Sequence, residues 1–143
     1  MECVSAEWEI SRCKAAAYPN FEPYDRTGEL YNLTGPKGQA GFSGFMRYKA
    51  TVQVEHPEAI AAIDLGSVGE SARLILNGKD LGQRICPPYR YALEGALVKG
   101  ENVLEIEVAN TLANEHRDGF SKYIALPASG LMGPVRWVLK DER

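Results

Sequence analysis

From Met46 onward the chain alternates strictly. Met46, Tyr48, Ala50, Val52 and Val54 fall in one register, and Arg47, Lys49, Thr51, Gln53 and Glu55 in the other. A repeat of two is what a strand needs when one face packs on a core and the other meets water, and a helix would scatter both sets around its axis. Leu104, Ile106 and Val108 repeat the pattern against Glu105 and Glu107. Tyr89, Tyr91 and Leu93 repeat it briefly, as do Val135, Trp137 and Leu139 against Arg136, Val138 and Lys140. Trp8 and Ile10 suggest a first strand, and the apolar runs 59–65 and 72–76 add two more. No stretch longer than about ten residues shows clean helical periodicity. The chain is therefore expected to be all-β, an antiparallel sandwich or barrel.

Local signals sharpen that expectation. Asn77-Gly78 joins two strand-like runs, and this pair readily takes positive φ at both positions, as a tight type I′ hairpin requires. Residues 73–76 and 81–85 should pair antiparallel across it. Pro87-Pro88 blocks ladder pairing and re-aims the chain. Residues 94–98 read as a helical turn or loop, and 99–102 as a turn into a strand over 103–109. Gly66 and Gly82 are expected at positive φ or close backbone approach, and Asp64 at a strand end where it can accept backbone N–H bonds. Residues 18–44 and 110–130 remain loop-like, and loops that long are usually functional or packed against something.

The totals set outer bounds. With 143 residues, 45% of them hydrophobic and 24% charged, the chain fits a single domain, 1–143, with a core of its own. Sixteen basic and 19 acidic residues leave a net charge of −3, with no basic footprint for nucleic acid and no polybasic membrane anchor. No apolar run approaches the roughly 20 residues that span a bilayer, and the first five residues lack the regions of a signal peptide. The segment thus reads as carrying no address of its own, and as a piece of a longer protein whose export is left open. Cys3, Cys13 and Cys86 cannot all pair within one chain, and their spacing fits neither a redox pair nor a zinc knuckle. A Cys3–Cys13 disulfide is open in an oxidising compartment; isolated thiols are the plainer reading.

Four blocks, taken in order, carry a family resemblance: Ile63-Asp64-Leu65-Gly66-Ser67-Val68-Gly69-Glu70; Ala72 through the Asn77-Gly78 hairpin to Gly82; Pro87-Pro88-Tyr89-Arg90; and Lys99-Gly100-Glu101-Asn102 running into Val103 and on to Asn110. Trp8, the run Gly41-Phe42-Ser43-Gly44-Phe45-Met46-Arg47-Tyr48 and the closing Ser129-Gly130-Leu131-Met132-Gly133-Pro134-Val135-Arg136 agree with them. In that order the chain resembles the sugar-binding, galactose-binding-like jelly-roll domain of family-two and related glycoside hydrolases. The resemblance implies a non-catalytic accessory domain that binds carbohydrate or completes a substrate subsite. Its partners would be carbohydrate and the catalytic domain of the same polypeptide, where the family's catalytic acids lie. A purely structural domain packed on a catalytic barrel is the alternative. The resemblance implies no cofactor, and leaves a structural calcium ion, held by many such jelly rolls, open. Because the matching residues are mostly turns and strand alternation, they speak to architecture more than to chemistry.

The residues themselves show no catalytic constellation. Glycoside hydrolysis ordinarily needs two carboxylates about 5–10 Å apart. Glu55, Glu105 and Glu107 alternate with core positions and read as solvent-facing, while Glu70, Asp80, Glu94 and Glu101 lie in or beside turns. His56, before Pro57, reads as a surface residue; His116-Arg117-Asp118 matches a kinase triplet only by chance. Strand parity instead gathers the loops 66–71, 86–88 and 110–130 at one end, a common binding platform. There Asn110, Asn114, Arg117 and Asp118 offer donors and acceptors for sugar hydroxyls, and Tyr89, Phe120 and Tyr123 an apolar face for a pyranose ring. The plainer alternative makes the asparagines loop caps, Tyr89 core, and Arg117 with Asp118 a solvated pair.

Overall fold

The computed structural model describes residues 2–4, 6–13, 20–28, 30, 45–69, 71–85, 88–93, 95–109 and 130–140. Twelve strands run through them: β1 (Glu2–Cys3), β2 (Trp8–Cys13), β3 (Glu22–Thr27), β4 (Phe45–Val54), β5 (Ile60–Asp64), β6 (Ser67–Gly69), β7 (Ser71–Leu76), β8 (Lys79–Arg84), β9 (Arg90–Ala92), β10 (Gly100–Ala109), β11 (Gly130–Gly133) and β12 (Arg136–Leu139). A six-stranded sheet has the order β3-β2-β4-β10-β7-β8, a four-stranded sheet the order β1-β12-β5-β9, and β11 pairs with β6. Every strand pair is antiparallel. The expected β-sandwich is the observed architecture.

The alternation decides which side of each strand is inside. Met46, Tyr48, Ala50, Val52 and Val54 of β4 join Leu104, Ile106 and Val108 of β10 and Ala72, Leu74 and Leu76 of β7 on the inner face of the larger sheet. Ile63, Tyr91 and Trp137 of the smaller sheet complete that core. Each fully buried aliphatic side chain of this kind contributes roughly 1.5–3 kcal/mol. Two tyrosines tie elements together through buried hydroxyls. Tyr91 donates to the Ala72 carbonyl at 2.7 Å, linking β9 of one sheet to β7 of the other, and Tyr48 accepts the Leu131 N–H at 3.0 Å, linking β4 to β11.

The hairpin forms as expected. Asn77 and Gly78 have φ of 52° and 82°, and β7 pairs with β8. Its tip is anchored to the start of β10 and to the connection before it. The Asn77 side chain accepts the Val103 N–H at 2.8 Å and donates to the Ala96 carbonyl and to Asn102 Oδ1. Asn102 is fully buried (0% exposed) and exchanges bonds with Val98, whose N–H it accepts and whose carbonyl it donates to. The "NG" turn and the "GEN" segment are thus one hydrogen-bonded unit. Asp64 accepts the Gly66 N–H at 2.8 Å, and Gly66 and Gly82 both have positive φ.

Several expectations are corrected. Residues 22–27, read as loop, form β3 on the edge of the larger sheet. Pro23, Asp25 and Arg26 hid it, and these are residues that guard an exposed edge. Residues 67–69, also read as loop, form β6, and the sheet strand read from 103 begins at Gly100. Val138, placed on the polar face of its strand, is buried there. Cys3 is exposed and Cys13 buried, and no disulfide joins them; Cys86 lies outside the described residues.

Candidate functional site

The expected gathering of connections at one end is observed where the described residues reach it. Ala109, the last residue of β10, pairs with Ser71 at the start of β7 and with Phe45 at the start of β4. Arg84 at the end of β8 pairs with Ala72, the Leu65 N–H donates to the Tyr89 carbonyl, and Gly130 pairs with Gly69. Ala109 and Gly130, the described residues on either side of 110–129, both lie at this end.

On the outer face of the larger sheet, register lays out two rows beside it. Ser11, Arg47, Glu107, Arg73 and Gln83 stand side by side across β2, β4, β10, β7 and β8. The next row, nearer the end, holds Phe45, Ala109 and Ser71. Between the rows lies a pocket of about 220 Å³, lined by Phe45, Ser71, Arg73, Gln83, Glu107 and Ala109. Glu107, expected to face solvent, is only 8% exposed, with Arg47 Nη2 at 3.5 Å from its Oε1. The Arg47 guanidinium lies 4.1 Å from the Phe21 ring centroid, and its Nε is buried with no hydrogen-bond partner. Gln83 Nε2 donates to Ser71 Oγ at 3.4 Å, and Arg73 pairs with Asp80 at 3.5 Å.

This is a set of fixed donors and acceptors beside one ring: a carboxylate between two guanidinium-bearing strands, an amide, a hydroxyl and Phe45. Such a set can orient polar hydroxyl groups. Among the described lining residues Glu107 is the one carboxylate, whereas hydrolysis of a glycoside would need a second across the bond. Among the described residues no three His, Cys, Asp or Glu side chains converge as a metal cage would require.

Of the sugar-contact candidates, Tyr89 lies in the core at 4% exposure, so its ring offers no open face; this corrects the stacking role expected of it. Asn110, Asn114, Arg117, Asp118, Phe120 and Tyr123 lie outside the described residues. Sequence reasoning missed Ser71, Arg73, Gln83 and Glu107 because strand parity shows which face a residue takes but not which outward residues on five strands line up. His56 is exposed as expected, 3.3 Å from Glu58.

No protein-family model matches the chain. A curated Formosa agariphila protein, provisionally named a beta-glucuronidase, is 38% identical over 77 residues, 51% of this chain and 7% of the relative. Among solved structures, a rhamnosidase from Novosphingobium sp. superposes on 96% of this chain with a TM-score of 0.76 and 27% identity. A beta-glycosidase from Bacteroides vulgatus covers 96% at a TM-score of 0.62 and 18% identity, and Bacteroides uniformis beta-glucuronidase 2 covers 94% at 0.63 and 18%, so these two speak for the fold alone. The chain spans only 15%, 20% and 17% of those three structures. The sandwich described above is thus the one found as a small part of family-two and related glycoside hydrolases.

Proposed function

We propose that this chain is a non-catalytic accessory domain of a larger glycoside hydrolase, and that its connection-bearing end meets carbohydrate, alone or as part of a substrate subsite. The observation that carries this reading is the asymmetry of coverage. Nearly all of this chain matches the rhamnosidase, yet it accounts for 15% of that enzyme. Support for carbohydrate comes from the polar pocket of Glu107, Arg73, Gln83 and Ser71 beside Phe45, next to the strand ends that carry Asn110, Asn114, Arg117, Asp118, Phe120 and Tyr123. The resemblance implies that catalytic acids would come from elsewhere in the polypeptide.

The test compares the isolated chain with the full polypeptide on aryl rhamnosides, glucuronides and galactosides. The full polypeptide should turn one of them over and the isolated chain none. In the full polypeptide, Arg73→Ala with Gln83→Ala should raise KM with little change in kcat, the signature of lost binding shared by ground and transition states. Turnover by the isolated chain would refute the reading.

A second reading, a domain that serves mainly to pack, is favoured by an aliphatic groove on the outer face of the smaller sheet, lined by Ile60, Ala62, Ala92 and Val138 among others. The two readings use opposite faces of the sandwich and are compatible.

A further inference from the structure

The polar pocket beside Phe45 is small. Its volume of about 220 Å³ falls below the roughly 300–1,000 Å³ of sites that enclose drug-sized ligands, so it holds one sugar ring and not a run of them. Glu107 is the most deeply buried of its lining residues, at 8% exposure, and Gln83 the most open. The carboxylate therefore stands deepest and the amide at the rim. A carboxylate offers about four lone-pair sites, so besides meeting Arg47 at 3.5 Å it can accept from adjacent hydroxyls of one ring. The Gln83 amide both donates and accepts, and it is steadied by its bond to Ser71 Oγ at 3.4 Å. Hydroxyl groups suit this set, because each can donate to a carboxylate and accept from an amide.

Charge separates sugars from sugar acids. Two guanidinium groups stand on the strands beside Glu107, and each has a carboxylate partner: Arg47 meets Glu107 and Arg73 meets Asp80, both at 3.5 Å. Arg47 is further held over the Phe21 ring. These four side chains sum to zero, two cations against two anions. Outside the described residues, the stretches that join the pocket strands in sequence, 31–44, 70, 86–87 and 110–129, balance as well. They hold Lys37, Arg117 and Lys122 against Glu70, Glu115 and Asp118, with His116 counted neutral. Among the described lining residues an incoming carboxylate thus meets no cation that lacks a carboxylate partner. It would also come to lie beside the buried Glu107, where like charges repel with little screening. An uncharged ring meets no such cost. We propose that the pocket takes a single uncharged sugar residue, held through adjacent hydroxyl groups by Glu107 and Gln83, and that it selects against sugar acids. This rests on the reading that the connection-bearing end meets carbohydrate.

Matched sugars test the proposal: galactose against galacturonate, glucose against glucuronate and mannose against mannuronate. Each is titrated into the chain at neutral pH and followed through the amides of Ser71, Arg73, Gln83, Glu107 and Ala109 by two-dimensional NMR. At least one neutral member should shift these amides, with a dissociation constant at least about tenfold below that of its acid. Glu107→Gln, which keeps the shape and removes the charge, should narrow that ratio to about threefold or less. Should that variant fail to fold, Gln83→Lys takes its place. It alters an exposed position, sets a cation beside Glu107, and should narrow the ratio in the same way. An acid that binds as tightly as its neutral counterpart, or a ratio unmoved in the folded variant, would overturn the proposal while leaving the carbohydrate reading standing. Silence from all of these sugars would overturn that reading, and the proposal with it.

Discussion

Tyr48 and Tyr91 show how burial at single residues sets the behaviour of the whole sandwich. Burial pushes the Tyr48 hydroxyl up to about 12, although the Leu131 N–H pulls the other way. Burial likewise pushes Tyr91 to about 12 against the opposing charge of Arg84. An unfolded tyrosine titrates near 10, so at higher pH the unfolded chain releases protons that the folded chain keeps. Stability is therefore complete below about pH 10 and declines toward pH 12, by on the order of 2 kcal/mol for each tyrosine. Urea unfolding at pH 9 and pH 11 measures the decline. Tyr91→Phe should roughly halve it, leaving the share of Tyr48, at a cost near neutrality of about 1 kcal/mol for the lost bond to Ala72. Asn102 is the polar counterpart. Replacing it with alanine strands the Val98 N–H and the Asn77 amide, which should cost roughly 2–3 kcal/mol in the same assay. Asn102→Asp should not rescue it, because a carboxylate cannot donate to the Val98 and Gly100 carbonyls.

At the scale of elements, the sequence was most legible where one face is buried and one wet. β4 and β10 could be placed from alternation, β7 from its apolar run, and the β7–β8 hairpin from Asn77-Gly78, because each signal has a direct physical cause. The edge strand β3 was not legible, since Pro23 and its charges are chosen for protecting an edge and mask the periodicity. Nor were β6 and β11, whose pairing rests on the contact between distant glycines. Gly66 bridges Gly133, and a Cβ at Gly66 would stand 2.5 Å from the Gly133 carbonyl carbon, at a φ of +72°. Gly66→Ala should thus destabilise the chain by at least about 2 kcal/mol, seen as a lowered denaturation midpoint. Gly78, with φ of +82° and open space around it, should tolerate Asn far better than Gly66 tolerates Ala. The candidate site was legible in its location and not in its membership. Parity brought the connections to one end, whereas Glu107, Arg73 and Gln83 meet only through the register of three strands.

Taken as a whole molecule, the sandwich separates two kinds of surface. One end and the adjoining outer face of the larger sheet carry a polar pocket beside Phe45; the outer face of the smaller sheet carries an aliphatic groove. A core formed within the chain supports both, so the isolated chain is a fair object for binding measurements. The central claim, that the connection-bearing end is the one that meets carbohydrate, is tested most directly by two-dimensional NMR of the isolated chain titrated with rhamnose, glucuronate, galacturonate and galactose. One of these sugars is predicted to shift the amides of Ser71, Arg73, Gln83, Glu107 and Ala109. Shifts confined to the groove around Ala62 and Ala92, or none with any of the four, would contradict it.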